Sequence, residues 1–403
     1  MAKGPAVPEL DPLDRPIGRL LRAAQTANPE QLVETLALAV AELGGTDLVL
    51  YLIDYECTHL VPHPDLLPHG ERVEAAAVDG TMAGRAYMSS EPLASQREDG
   101  WHVWVPVSER ADRLGVLSMV LPEWDEQLEY YLVELGFAAA HLLIACARYT
   151  DLTHLLRRRK DMDLAAEMQW SLLPPLCFAV GGTTVAGLLE PAYEVGGDCF
   201  DYALNFGYLD VAIFDAVGHG LLSAVMGSLI LGGYRNGRRE VDGLQGVVRR
   251  LDEALSAFPA EQAFATAVLA RLNIETGRLT WTSCGHPQPI HVRRGKCLPE
   301  VELLPGAPIG MGVLAPVVGE VVEIALEPGD GVLLYTDGVV DSRGPDGEEF
   351  GEARLKDLLE REHLSGRQPA ELLRRLVRSA LTYQVTPLRD DASMVYLRWD
   401  GPP

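Results

Sequence analysis

The chain has 403 residues, enough for two or three domains, and 47% of them are apolar, so each domain can bury its own core. With 34 Lys and Arg against 58 Asp and Glu the net charge is −24, and without a basic lobe this argues against nucleic acid or an anionic membrane as a partner. The 6 cysteines contain no Cys-x-x-Cys pair, which argues against a zinc site and a disulfide scaffold and for a reducing, cytoplasmic compartment.

In chain order, residues 1–27 are rich in Pro, Asp and Ala and read as a loose lead-in without a signal-like apolar run. Asn28 is placed to cap a helix from Pro29 to Leu43, with Pro29 at its first position. DLVLYLI (47–53) reads as a strand, Thr81 to Met88 as a short helix after an Asp79-Gly80 turn, and HVWVPVS and LGVLSMVL as a hairpin. This order predicts a small α+β domain over 28–125, an antiparallel sheet with helices on one side. The stretches GTMAGRAYMSSEPL and VWVPVSERADRLGVLSMVL resemble the second half of a GAF domain. The resemblance implies a sensory module that binds a small ligand or dimerises, and leaves that ligand unnamed.

Glu126 to about Leu156 reads as one long helix. Leu128, Leu135, Leu142, Tyr149 and Leu156 fall at one heptad position, and Leu132, Ala139, Cys146 and Thr153 at the other. Such spacing predicts a coiled coil and a homodimer. The pattern breaks at Lys160 and Asp163 and resumes out of phase at Leu164, Met168 and Leu172. Residues 126–175 are therefore taken as a helical linker, ended by Pro174-Pro175. The uncharged run from Ala216 to Tyr234 approaches the length of a membrane span, but its glycines and His219 favour a buried helix after a turn.

Strand patterns dominate residues 176–403, with few, grouped helices, which predicts two packed sheets flanked by helices. The aspartates there fall at strand ends. Asp198 follows Val195-Gly196-Gly197, Asp215 ends VAIFD, Asp337 ends GVLLYTD, and Asp390 and Asp391 open SMVYLRW. Carboxylates at the ends of buried strands are expensive without partners, and hard divalent cations satisfy several at once.

VGGDCFD, IFDAVGHG, SCGHPQP, LYTDGVVDS and RDDASMV are similar, in order and spacing, to the SpoIIE/RsbU-type branch of the metal-dependent Ser/Thr protein phosphatases, the PPM or type 2C class. The resemblance implies a β-sandwich between two helical layers (αββα) and a site with two divalent cations, Mn²⁺ or Mg²⁺. Carried over, Asp215 bridges both cations and the Ala216 carbonyl is a ligand. Asp198 serves one cation, while Asp337 and Asp390 serve the other. Asp201 and Asp391 are neighbours that support the ligands, act as alternates, or stand exposed on loops. His219 and His286 are candidate supporting donors, with turn or hairpin roles favoured for both. The implied substrate is phosphoserine or phosphothreonine, often on a STAS-domain anti-sigma-factor antagonist. The alternative is a degenerate phosphatase that only sequesters a phosphoprotein. A metal-dependent phosphodiesterase would show paired histidines, which these motifs do not contain.

Overall fold

In the computed structural model, which describes residues 14–63, 72–190, 193, 196–240, 243–258, 263–383 and 391–403, strand alternation sorts side chains between two cores in the N-terminal unit, Met1–Lys160. Its elements are α1 (Asp14–Ala24), α2 (Leu32–Ala41), β1 (Thr46–Ile53), β2 (His59–His63), β3 (Ala76–Ala77), α3 (Met82–Ser89), β4 (Leu93–Arg97), β5 (Gly100–Glu109), β6 (Asp112–Leu121), α4 (Glu126–Cys146) and α5 (Leu152–Arg157). The strands form one antiparallel sheet in the order β3-β2-β1-β6-β5-β4. Val103, Val105 and Val107 of β5 and Leu117, Met119 and Leu121 of β6 face α1, α2 and α4. The alternate residues Trp104 and Val116 face Ala83, Ala86 and Tyr87 of α3. Helices thus cover both faces of this sheet, where the sequence suggested one.

Two expectations are corrected here. The lead-in is partly helical: α1 buries Leu20 in the main core, and Pro16 is tolerated because the first helical turn has no intrahelical N–H partners to lose. The long helix ends at Cys146 rather than near Leu156, and α5 is a separate short helix. Its heptad seam is internal. Leu132, Leu135, Ala139 and Leu142 are buried in the unit's own core, because a helix lying on a sheet needs the same narrow apolar stripe as a coiled coil. Gly136 permits that contact, since a Cβ there would stand 2.3 Å from the Pro106 carbonyl. Among the described residues α4 alone is long and apolar enough to cross a membrane by length and composition.

The second unit, Asp161–Pro403, begins within the stretch read as a linker. It comprises α6 (Leu164–Leu172), β7 (Cys177–Val180), β8 (Thr183–Glu190), β9 (Gly196–Asn205), β10 (Tyr208–His219), α7 (Leu221–Arg239), α8 (Gly243–Ser256), β11 (Ala265–Asn273), β12 (Arg278–Cys284), β13 (Ile290–Arg293), β14 (Lys296–Cys297), β15 (Val322–Ala325), β16 (Asp330–Tyr335), α9 (Gly351–Leu364), α10 (Pro369–Tyr383) and β17 (Ala392–Trp399). A five-stranded sheet, β15-β12-β11-β10-β9, faces a six-stranded sheet, β14-β13-β16-β17-β8-β7. Phe200, Val211, Ile213 and Val268 of the first meet Val185, Leu334, Val395 and Leu397 of the second. The intervening residues Ala212, Phe214 and Ala216 point outward against α7 and α8. On the outer face of the other sheet α10 packs against β8 and β17. The uncharged run after Asp215 is thus the end of β10 followed by α7, whose Met226, Ile230 and Tyr234 are buried on the sheet.

Candidate active site

The site forms where β9 and β10 end between the two sheets. Asp215 of β10 lies directly opposite Asp198 of β9 in the antiparallel ladder. Opposed residues of such a ladder project from one face with Cβ atoms about 5 Å apart. They share that face with Phe200, Val211 and Ile213, so both carboxylates stand at the rim of the inter-sheet core. Beyond Asp215 the ladder slips before resuming at His219 opposite Gly196. A bulge of this kind bends the strand and re-aims its last residues.

Asp198 is buried, and the groups around it fix its electrostatics. Burial raises its pKa well above the ordinary carboxylate value, and the Asp215 and Asp391 carboxylates raise it further. The hydrogen bond from the Thr336 hydroxyl opposes that rise. Thr336 Oγ1 donates to Asp198 Oδ2 at 2.7 Å and accepts from the Ser393 N–H at 2.9 Å. Asp391, also buried, accepts from the Gly196 N–H at 2.8 and 2.7 Å and from the Asp198 N–H at 3.3 Å. It clasps the backbone that carries Asp198. Gly197 is needed for close approach, because a Cβ there would stand 2.0 Å from the Ala216 carbonyl oxygen. Asp337 is exposed and opens a 3₁₀ turn directly after Thr336. Burial and then the Asp337 carboxylate raise the pKa of Asp341.

Carboxylates brought together against their own repulsion, and fixed by hydroxyl and backbone donors, are the oxygen set that a hard divalent cation takes. Asp198 and Asp215 offer such oxygens, while the Asp391 carboxylate is taken up by the Gly196 and Asp198 N–H groups. Among the described residues no group of three His, Cys, Asp or Glu side chains is close enough to hold a metal ion. Asp390, the further ligand expected from the sequence, lies outside the described residues.

Two candidate residues stand elsewhere. The pleat that turns Asp198 inward turns Asp201 outward, toward α7. There Arg235 Nε and Nη2 donate to its carboxylate at 3.0 and 3.1 Å, and Arg238 Nη1 donates at 2.6 Å. Asp201 is therefore a buried ion-pair anchor for α7 and neither a supporting group of the site nor an exposed loop carboxylate. His219 is the exposed last residue of β10, just before α7.

His286 ties the two sheets together behind the carboxylates. Its Nε2 donates to the Tyr335 carbonyl at 2.9 Å, which leaves Nδ1 to accept from the Thr266 hydroxyl at 2.6 Å. Thr266 is the ladder partner of Asp215, and Tyr335 precedes Thr336. Burial lowers the His286 pKa to about 4 from 6.5. The folded state therefore binds fewer protons than the unfolded state between those values, and stability falls as pH drops through that window. Wild type is expected to lose up to about 3 kcal/mol through this group between pH 6.5 and 4. His286→Gln should be less stable at pH 8 by about 1–3 kcal/mol and should lack this component of the acid loss. Chemical denaturation of both proteins at several pH values checks this, and parallel stability curves would contradict it.

Thr336 and Arg235 are not identifiable from the sequence. The first reads as an ordinary strand residue before Asp337, and the second is one basic position among several on α7.

The family model described as Stage II sporulation protein E (SpoIIE) matches residues 206–400. The Bacillus subtilis protein named phosphoserine phosphatase RsbU is 23% identical over 243 residues, covering 60% of this chain and 70% of that protein. Protein IcfG of Synechocystis is 24% identical over 229 residues, which is 50% of this chain and only 36% of that protein. The crystal structure of the RsbU and RsbW domains of a Mycobacterium tuberculosis protein aligns at 25% identity and a TM-score of 0.48, covering 56% of this chain and 62% of that one.

Proposed function

We propose, from the match of residues 206–400 to the SpoIIE family model and the likeness to phosphoserine phosphatase RsbU, that the chain is a metal-dependent protein phosphatase acting on phosphoserine or phosphothreonine of a partner protein. The observation that carries this reading is the opposed pair Asp198 and Asp215, gathered at paired strand ends, with Asp198 held by Thr336 and its backbone by Asp391. The name of the Bacillus relative, a phosphoserine phosphatase, supports phosphoserine as the group removed.

Asp198, Asp215, Asp337 and Asp390, with the Ala216 carbonyl, would hold two divalent cations, Mn²⁺ or Mg²⁺. Such a pair, when bound, supplies an acidified water and neutralises phosphoryl charge. Thr336 fixes one oxygen of Asp198 by donating a 2.7 Å hydrogen bond, and the other oxygen would serve as the metal ligand. Asp391 keeps the Gly196 to Asp198 backbone in place. His286 holds the strand segments next to Asp215 and Thr336 at a fixed spacing. The sequence contains no Cys-x5-Arg loop and no Gly-x-Ser-x-Gly elbow, so hydrolysis is assigned to direct attack by water without a phosphoenzyme.

The partner is proposed to be a STAS-domain anti-sigma-factor antagonist and the compartment the cytoplasm. The first unit is proposed as a GAF-like sensor with an unassigned ligand, and its antiparallel sheet between helices supports this. A homodimer is proposed through the outer face of α4, where Tyr130, Phe137 and Ile144 recur at heptad spacing and are exposed. Phe137→Glu should halve the mass seen by light scattering, and a monomeric wild type would overturn the assembly. Charges at Leu135 or Leu142 would test folding instead, because both are buried.

Glu190-Pro191-Ala192-Tyr193-Glu194 occupies the stretch before the first acidic motif and contains no arginine to grip phosphate. Affinity must then come from the cations and from the partner's surface. A phosphorylated STAS-domain protein is expected to exceed para-nitrophenyl phosphate in kcat/KM by at least ~100-fold, or about 3 kcal/mol. Steady-state phosphate release on the two substrates tests this, and equal efficiency would contradict it.

A further inference from the structure

Four large aliphatic side chains stand exposed at the end of the second unit that carries Asp215. Leu221 is 49% exposed, Leu222 56%, Val313 89% and Leu314 82%. The first two open α7, directly after the bulged end of β10. The other two lie in a turn held by Asp252, whose Oδ1 accepts from the Gly310 and Gly312 N–H groups at 2.7 and 3.0 Å. Just before that turn, Ile309 and Ala265 exchange backbone hydrogen bonds of 2.8 and 2.9 Å. Ala265 is the ladder partner of Ala216, one residue beyond Asp215. Adjacent strands lie about 4.8 Å apart, so Ile309 stands roughly 10 Å from the strand that carries Asp215.

The helices bring both pairs to the same end. Cβ atoms at Gly237 and Gly233 would meet Val247 and Leu251 respectively, so α7 and α8 run antiparallel. Asp252 and Ser256 therefore lie toward the N-terminal turns of α7, and Ser256 also reaches the Gly310 carbonyl at 3.5 Å. Leu221 and Leu222 thus stand where β10 passes into α7, and Val313 and Leu314 lie in the 310–315 turn at the same end of the unit.

Aliphatic groups give a phosphate no hydrogen bond, and exposed apolar side chains clustered beside a functional site mark a protein interface. A phosphoserine that reaches Asp198 and Asp215 brings its own protein surface to this end of the unit. We propose that Leu221, Leu222, Val313 and Leu314 form the docking surface for the folded phosphoprotein substrate, taking an apolar patch that flanks its phosphoserine. This rests on the phosphatase reading and specifies where its protein selectivity arises.

The test uses the full chain with Mn²⁺ and two double variants, Leu221→Ser with Leu222→Ser, and Val313→Ser with Leu314→Ser. The probes are a phosphorylated STAS-domain protein and para-nitrophenyl phosphate. Each double variant is expected to lose at least about tenfold in kcat/KM on the phosphoprotein, mainly through KM, consistent with truncating one or two interface anchors. Turnover of the small ester should stay within twofold. Unchanged phosphoprotein kinetics overturn the docking surface and leave the phosphatase reading intact. Equal losses on both substrates also overturn it, since the residues then support the reaction centre itself. A halved mass in light scattering would assign the surface to a second copy instead. A wild type that releases no phosphate from either probe removes the phosphatase reading and this inference together.

Discussion

Asp215→Asn is expected to lower kcat by at least ~10³-fold, about 4 kcal/mol of transition-state stabilisation. The residue lies near the end of β10, opposite Asp198 and one position before Ala216, and in the proposed reading its carboxylate would serve both cations. If two divalent ions are held there as proposed, a neutral amide would not offset their repulsion, and the paired activation of water would be lost. The fold should survive, because the substitution removes a charge that raises the Asp198 pKa. The comparison is phosphate release by wild type and variant from one phosphoprotein, beside melting curves for both. Retained turnover would falsify the assignment of Asp215.

Asp198→Asn should move activity and metal-free stability in opposite directions. Asp198 is 2% exposed and carries the electrostatic load of Asp215 and Asp391. The asparagine keeps an acceptor for the Thr336 hydroxyl while it removes the buried charge. Without metal, the variant should gain about 1–3 kcal/mol, which in a unit of this size raises Tm by roughly 2–10 °C. With Mn²⁺ the order should reverse, since wild type gains stability through binding and the variant has lost a ligand. Its kcat should fall by at least ~100-fold. Thermal melts with EDTA and with Mn²⁺ decide the matter. A variant that is less stable in EDTA would mean that Asp198 serves the fold as a hydrogen-bonded strut.

Much of this arrangement is legible in the sequence because strands write their register locally. The alternation in YLDVAIFD places Asp215 on the inward face, and the turn before Tyr208 sets it opposite Asp198. The same alternation, carried one strand back, would have turned Asp201 toward the helices. Its partners, Arg235 and Arg238, are more than thirty residues away and reveal themselves only when α7 packs on β9. Thr336 is hidden for the same reason, since it meets Asp198 across the gap between two sheets. The heptads of α4 mislead for a different reason. One apolar stripe can be buried equally well by a second helix or by β5, and spacing alone does not distinguish them.

The most direct measurement of the central claim is phosphate release from a phosphoserine-bearing STAS-domain protein by the full chain, first in EDTA and then with Mn²⁺ or Mg²⁺ restored. No release is predicted in EDTA, and turnover should return on adding either cation in excess of the chelator. Turnover that persists undiminished in EDTA, or a protein that releases no phosphate with any divalent cation, would contradict it.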